Sequence, residues 1–478
     1  MFDKPLKSFI NGEWRLPATS TDTLDAINPA TEEVCATVAL CGHDDVDAAV
    51  NAARAAFDGY SAMPLNERIA LVEKLIAVFE RRYDEVVAAI STEMGAPYDL
   101  SYNSQAECGP GHLRATVKAA REMQWEYDVG EDGRVVHEPI GVCVLITPWN
   151  WPVNQLATKI GPALVSGCTM VLKPSEIAPL SAQLFAEFIE EAGFPRGVFN
   201  MLHGTGAGIG DRLTSHPEVD MISFTGSTRA GVQIAKSAAD TVKRVSQELG
   251  GKSANIVFAD TDLEAAVTRG VLHCFENAGQ SCNAPTRMLV EQSVYDQAVA
   301  IAGTVAKGVK QGDPMEKGAH YGPVVSKMHF DKIQGLIQVG IDEGAQVVAG
   351  GTGRSDGFDR GYYVKPTIFA GVHNRMRIAQ EEVFGPVLVM IPFKDEPDAI
   401  AIANDTPYGL AAYVQTDDMV RARRVARLLR AGSVSINGAG QDYMAPFGGY
   451  KQSGNGREYG EFGLRDFLEV KAINGYRA

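Results

Sequence analysis

Apolar residues recur along this chain in two rhythms, and the change between them divides it. From Asn66 to about Glu93 the spacing is helical: Ile69, Val72, Leu75, Ile76 and Phe79 share one face, with Asn66 placed as the N-cap. From about residue 135 short β-rich runs take over: GVCVLIT, TMVLK, GVFNML, DMISFT, ANIVF and TRMLVE. Helical stretches lie between them, beginning near Ser181, Arg229, Leu263 and Val294. Strand–helix alternation of this kind predicts α/β units whose parallel sheets are covered on both faces. A second series from about residue 285 to 440 predicts two such domains. Two segments stand outside the scheme. Tyr127 to His137 has the pattern of a hairpin turning at GEDG, and the tail FLEVKAINGYRA that of a strand with no helix after it. They are expected to pair with each other or with a neighbouring subunit, which predicts an oligomer.

Composition narrows the class. A length of 478 residues suits about three domain-sized units. With 45% hydrophobic and 22% charged residues, a disordered chain, a collagen-like fibre and a coiled coil are excluded. No apolar run approaches the roughly 20 residues of a membrane span. The start, MFDKPLKSFINGEW, lacks the basic and apolar regions of a secretory signal. The balance of 44 Lys+Arg against 59 Asp+Glu gives a formal charge of −15, which repels phosphate backbones and anionic membranes. Neither nucleic acid nor a membrane is an expected partner. Seven cysteines without a CxxC pair exclude a zinc ribbon and a thioredoxin-like motif. A reducing cytoplasm with free thiols and no metal site is the expectation.

Several segments carry possible chemistry. Cys282 lies in FENAGQSCNAP, in a loop between a helical stretch and a strand, where an accessible thiolate can be presented. The plain alternative is a small buried residue, and Cys35, Cys41, Cys108, Cys143, Cys168 and Cys274 are left under it. Glu248, in SQELGGK, precedes two glycines that permit positive φ and close approach of a ligand. It is either a surface carboxylate or, beside an activated thiol, a general base for water. Asn150, in TPWNWP, is fixed between two prolines and offers an amide to a developing oxyanion, with the Cys282 N–H as second donor; otherwise it satisfies its own turn. Lys173 and Glu176, in KPSE after a strand, suit the hydroxyls of a ribose. In FTGSTRAG, Gly226 allows a sharp turn and Ser227 is placed for a phosphate at a helix N-terminus. The run GTGAGIG from Gly204 lacks the GxGxxG spacing and is taken as a strand-to-helix turn. Glu382 and Phe384, in EEVFGP, suit a second ribose and its ring, or form a turn with a core phenylalanine.

Taken in order, TPWNWP, KPSE, FTGST, ELGGK, GQSC, EEVFGP and PFGGYKQSG resemble the aldehyde dehydrogenase superfamily over nearly the whole chain, from INGEW to EVKAI. That resemblance implies an α/β fold with a Rossmann-type cofactor domain, an α/β catalytic domain and a small β oligomerisation element. The dinucleotide-binding domain would take residues 1–120 and 140–250, the catalytic domain 251–447, and the bridging element 121–139 and 463–478. It implies that Cys282 attacks an aldehyde, that Asn150 and the Cys282 amide hold the oxyanion, and that Glu248 activates water against the resulting thioester. The 34-residue interval from Glu248 to Cys282 is that of the hydrolytic, CoA-independent branch. Glu458 matches a position that helps to relay protons. Ile146, Thr147, Pro148, Trp149, Lys173, Ser175, Glu176, Gly226, Ser227, Leu249, Gly250, Glu382 and Phe384 would bind the cofactor. A carboxylate at Glu176 repels a 2′-phosphate, so NAD is expected over NADP. Trp151, Gln155, Thr158, Glu276, Ser281, Asn283 and Tyr443 would line the substrate tunnel, which polar Gln155 and small Thr158 make wide and wet. A homodimer or homotetramer in the cytoplasm follows from the same resemblance.

Three other readings stay open. One is an NADP-using semialdehyde or phosphorylated-aldehyde dehydrogenase, although no Arg pair is placed for an anion. Another is a binding protein that kept the fold, which would be expected to lose Cys282, Glu248 or Asn150. The third is a cysteine hydrolase, for which His273 is a poorly spaced partner.

Overall fold

The computed structural model describes residues 5–477. The parallel core of the first sheet is built from β1 (Val142–Ile146), β2 (Thr169–Lys173), β3 (Phe199–Met201), β4 (Met221–Thr225) and β5 (Arg244–Glu248). Their spatial order is β5-β4-β1-β2-β3. The chain begins in the middle, adds two strands on one side, then returns to add two on the other. At the reversal, between β1 and β4, the C-terminal strand ends leave a crevice. Short antiparallel pieces close both edges: Ser8–Ile10 and Glu13–Arg15 beyond β3, Gly454–Asn455 beyond β5.

The apolar runs follow from burial on both faces. In β1, Cys143 and Leu145 join one core layer, while Val142, Val144 and Ile146 join the other with Val46, Ala49 and Val50. Helices α1 (Cys108–Glu122), α2 (Pro152–Ser166) and α3 (Pro179–Ala192) cover the first face, and α4 (Thr228–Ala238) follows β4. Glu93, fully buried, accepts the N–H groups of Leu180 and Ser181 and so caps α3 from another helix.

The second sheet holds six parallel strands: β6 (Ala254–Val257), β7 (Arg287–Glu291), β8 (Thr367–Ala370), β9 (Val387–Phe393), β10 (Ala411–Gln415) and β11 (Ser433–Ile436). They run in the order β8-β9-β7-β6-β10-β11, with Gln346–Ala349 antiparallel outside β8. Helix α5 (Leu263–Phe275) packs on one face through Val267 and Val271. This sheet begins at Ala254 and not near residue 285, because ANIVF belongs to it. Only Leu249–Ser253 separates the last parallel strand of one sheet from the first strand of the other. The ELGGK segment is therefore the crossing between them.

The expected helix from Asn66 to Glu93 is two helices, Leu65–Arg81 and Tyr83–Glu93. The apolar face is buried as the pattern requires. Asn66 is not the cap: Pro64 precedes the first turn with φ fixed at −54°, and Asn66 lies inside it. The break at Arg82 comes from tertiary contacts, since its guanidinium bridges Glu85 and Glu187 at 2.7 and 2.8 Å. The hairpin pairs Glu126–Val129 with Gly133–Pro139, and the tail strand Leu468–Ile473 adds to the latter. Of the two expected pairings for the tail, this chain makes the one within itself.

Candidate active site

Crossing from sheet to sheet in five residues forces the two halves into contact, and glycine makes the contact possible. A Cβ at Gly251 would stand 2.3 Å from the carbonyl oxygen of Cys282, and one at Gly250 would stand 2.6 Å from a Glu382 carboxylate oxygen. Neither glycine has positive φ. What the crossing uses is their missing side chains, so that protein atoms approach where the sequence reading placed a ligand. The Gly251 N–H donates to Glu382 Oε1 at 2.8 Å.

Cys282 follows a tight loop at the end of α5, in which Asn277, Ala278 and Gly279 all have positive φ. It is half-buried. Its thiol is pushed up, first by burial, then by the negative charges of Glu382, Glu248 and Glu458. The loop gives access, while burial first and then three carboxylates from distant segments push the thiol up. His273 is not its partner. That ring packs edge-on against Tyr413 at 5.1 Å.

Asn150 does not satisfy its own turn. Its Nδ2 donates to the carbonyl of Gln280 at 3.0 Å, and the next residue, Trp151, donates from Nε1 to Ser281 Oγ at 2.8 Å. TPWNWP, placed by β1 and the first turn of α2, is thereby tied to the cysteine loop at two successive residues. One N–H of the Asn150 amide stays free for another acceptor.

Glu248 ends β5 and is buried, with both carboxylate oxygens lacking any hydrogen-bond partner. Burial lifts its carboxyl well above the usual range, and Glu458 adds to this while Lys159 and Arg457 oppose it. A Cβ at Gly448 would come within 2.7 Å of Glu248 Oε1, so PFGGYKQSG lies over this carboxylate. Glu458 pairs with the buried Lys159 Nζ at 2.5 Å, and Lys159 also reaches Ser223 Oγ at 3.1 Å. Lys159 was missed. A lone lysine in the apolar stretch of α2 was the signal available.

Registers align the ends of the first sheet: Ile146 beside Lys173, Phe224 beside Ile146, Thr225 beside Glu248. At that edge Lys173 Nζ lies 3.3 Å from Glu176 Oε2, and Thr147 N–H donates to the Lys173 carbonyl. Ser175 Oγ accepts from Ile177 N–H, Gly226 N–H bonds the Glu248 carbonyl, and Ser227 Oγ caps α4. Leu249 is buried against Gly231 of α4. Pro148 precedes Trp149, whose ring meets Phe384 and His329 edge-on at 5.5 and 5.3 Å. The run from Gly204 is a strand-to-helix turn, with Thr205 Oγ1 accepting from Gly208 N–H. The crevice at the strand reversal, with Thr225 Oγ1 and both Glu248 oxygens buried and unpartnered beside it, fits an elongated polar ligand.

The substrate-side residues are dispersed. Gln155 and Thr158 are buried one turn apart on α2, and Gln155 Oε1 has no partner. Glu276 and Asn283 line a recess of about 640 Å³ with His273, Tyr413 and Asp442. Glu276 is water-accessible there, yet the surrounding walls raise its carboxyl. Tyr443 rests on α1, its ring 4.4 Å from His112.

A sequence profile of the aldehyde dehydrogenase family matches residues 14–473. A 3-succinoylsemialdehyde-pyridine dehydrogenase from a Pseudomonas species is 51% identical, covering 98% of both chains. The solved structure of an aldehyde dehydrogenase from Bartonella henselae superposes with a TM-score of 0.97 at 51% identity, covering 98% of this chain and 99% of that one. Aldehyde dehydrogenase C from Pseudomonas syringae, solved as a cysteine-to-alanine variant with NAD+ and octanal, superposes at 0.98 with 46% identity, covering 100% and 98%.

Proposed function

Because the chain belongs to the aldehyde dehydrogenase family, we propose that Cys282 is its nucleophile, Asn150 its oxyanion donor and Glu248 its general base. The protein oxidises aldehydes with NAD. Bound at the strand reversal, NAD would supply the hydride acceptor. Lys173 and Glu176 would hold the adenosine ribose, Ser227 the pyrophosphate and Glu382 the nicotinamide ribose, with Trp149 and Phe384 walling that end. Glu176 disfavours a 2′-phosphate.

Cys282 gives its proton to solvent, and the thiolate sulfur then attacks the carbonyl carbon. As the C–S bond forms, the carbonyl π pair moves onto oxygen, where the free Asn150 N–H and the Cys282 N–H stabilise the charge. Hydride departure leaves a thioester on Cys282. Glu248 takes a proton from water as the water attacks that thioester, and breaking the C–S bond releases the carboxylic acid. Glu458, held by Lys159, passes the proton onward. The observation that carries this assignment is the pair of unpartnered Glu248 oxygens, brought to the cysteine loop by the two-glycine crossing.

Residues 1–120 with 140–250 are assigned to cofactor binding, 251–447 to catalysis, and 121–139 with 463–478 to assembly as a homodimer or homotetramer in the cytoplasm. A long, uncharged aldehyde is the substrate class we favour. The relative's substrate name and the octanal complex support it. In rapid mixing, Cys282→Ala should give no NADH with NAD binding intact. Glu248→Gln should keep a first-turnover burst and lose about 10²–10⁴-fold in steady turnover. Equal loss of burst and steady rate would remove Glu248 from thioester hydrolysis.

A further inference from the structure

We propose that Gln105 is a positioning residue for the oxyanion site, acting through the side-chain amide of Asn277 on Asn150; this rests on the role assigned to Asn150 above. Gln105 closes a wide helical turn, Ser101–Gln105, in which the Ala106 N–H reaches back to the Ser101 carbonyl at 2.9 Å. Such turns occur mostly as single-turn bulges in helices, frequently at functional sites. Here the Gln105 side chain is 1% exposed and reaches across to the cysteine loop. Its Nε2 donates to Asn277 Oδ1 at 2.8 Å, over a sequence separation of 172 residues.

Asn277 passes the constraint on. Its Nδ2 donates to the Asn150 carbonyl at 2.8 Å and to the Gln280 carbonyl at 3.3 Å. The Gln280 carbonyl is the same atom that holds the Asn150 side chain at 3.0 Å. Gln280 is pinned in turn, its Nε2 on the Asn277 carbonyl at 3.0 Å and its Oε1 accepting from Val325 N–H at 2.8 Å. Asn277, Asn150 and Gln280 are all buried, so water cannot substitute for a lost bond.

An amide in this place has two orientations. In one, the Asn277 NH₂ faces both carbonyls and its oxygen faces Gln105. In the other, that oxygen would face two carbonyl oxygens and repel them. The two carbonyls favour the first, and Gln105 completes it by presenting an N–H to the Asn277 oxygen. Without it, nothing among the described hydrogen bonds holds that oxygen, and both the backbone and the side-chain anchors of Asn150 loosen together. Misplacement of a reacting geometry by about 1 Å lowers rates by about a hundredfold.

The test is a double-mutant cycle in the full-length enzyme, read as kcat, KM and NAD binding. Gln105→Met keeps length and removes the donor, and should lower kcat about ten- to a hundredfold, with KM for aldehyde within about threefold and NAD affinity unchanged. Gln105→Glu, of the same shape but offering only acceptors when ionised, should lose at least as much, and serves if the methionine variant does not fold. Asn150→Ala alone should lower kcat about 10²–10³-fold. In that background Gln105→Met should add no further loss, because its target is gone. Unchanged kcat in both Gln105 variants overturns the proposal, and so does a loss that multiplies with that of Asn150→Ala, which is what general destabilisation produces. An unaffected Asn150→Ala enzyme would instead overturn the role of Asn150.

Discussion

Cys282 stands between two surroundings built on different principles. On the cofactor side, the fit depends on backbone: Gly250 and Gly251 bring Glu382 and the Cys282 carbonyl to distances no side chain would allow. On the substrate side, the walls are individual side chains: Tyr443 resting on α1, Gln155 and Thr158 on α2, and Glu276 and Asn283 at the recess formed by α5 and the loop after β11. The first surrounding has little tolerance, because displacing backbone moves several groups together. The second can change one residue at a time. A common reaction with variable substrates needs that division.

The strongest way to break the contrast is Gly251→Ala. The added methyl collides with the Cys282 carbonyl, and kcat/KM should fall about a hundredfold or more. Gly440, in the substrate-side loop, has nothing within 4 Å of its notional Cβ, and Gly440→Ala should stay within about twofold. Steady-state kinetics on the pair decides it; similar losses in both would erase the distinction. A middle-sized effect is expected from charge. Glu382 is the foremost of the carboxylates facing the thiol, so Glu382→Gln removes a charge that raises the Cys282 pKa. The pH curve for alkylation by iodoacetamide should then move to lower pH, and a curve moving upward would contradict the assignment. The smallest effect should come from Glu276→Gln at the water-accessible recess. Partly screened charges contribute little, so preference between amine-bearing and neutral aldehydes should change about two- to fivefold. No change in that ratio would place substrate away from this wall.

Much of the local geometry at the ends of the first sheet could be read from the chain because its pieces are close in sequence. Lys173 and Glu176 are three apart, Ser227 caps the helix it opens, and Glu248 sits beside the glycines that place it. What escaped were relations between distant segments. The helix break at Arg82 depends on Glu187, more than a hundred residues away. The upward push on the Cys282 thiol comes from burial first and then from charges at residues 382, 248 and 458. Lys159 lay hidden in an apolar run until Glu458 reached it. Gln280 was inside a motif already singled out and received no role, because its partner, the Val325 N–H, is not predictable from spacing. Periodicity reports which face is buried. It does not report who is met there.

The left-handed run through Asn277, Ala278 and Gly279 has a consequence for endurance. An L-residue held in that region costs about 1–2 kcal/mol, and Ala278, at φ 53°, has no side chain that could offset it through a polar contact. Released from its hydrogen bonds, this loop would relax into a more extended path while both sheets stay folded. Warming should therefore extinguish turnover some degrees before the sheets melt, and a molecule seated against the loop should prolong the working life of the catalyst without raising its melting point by as much.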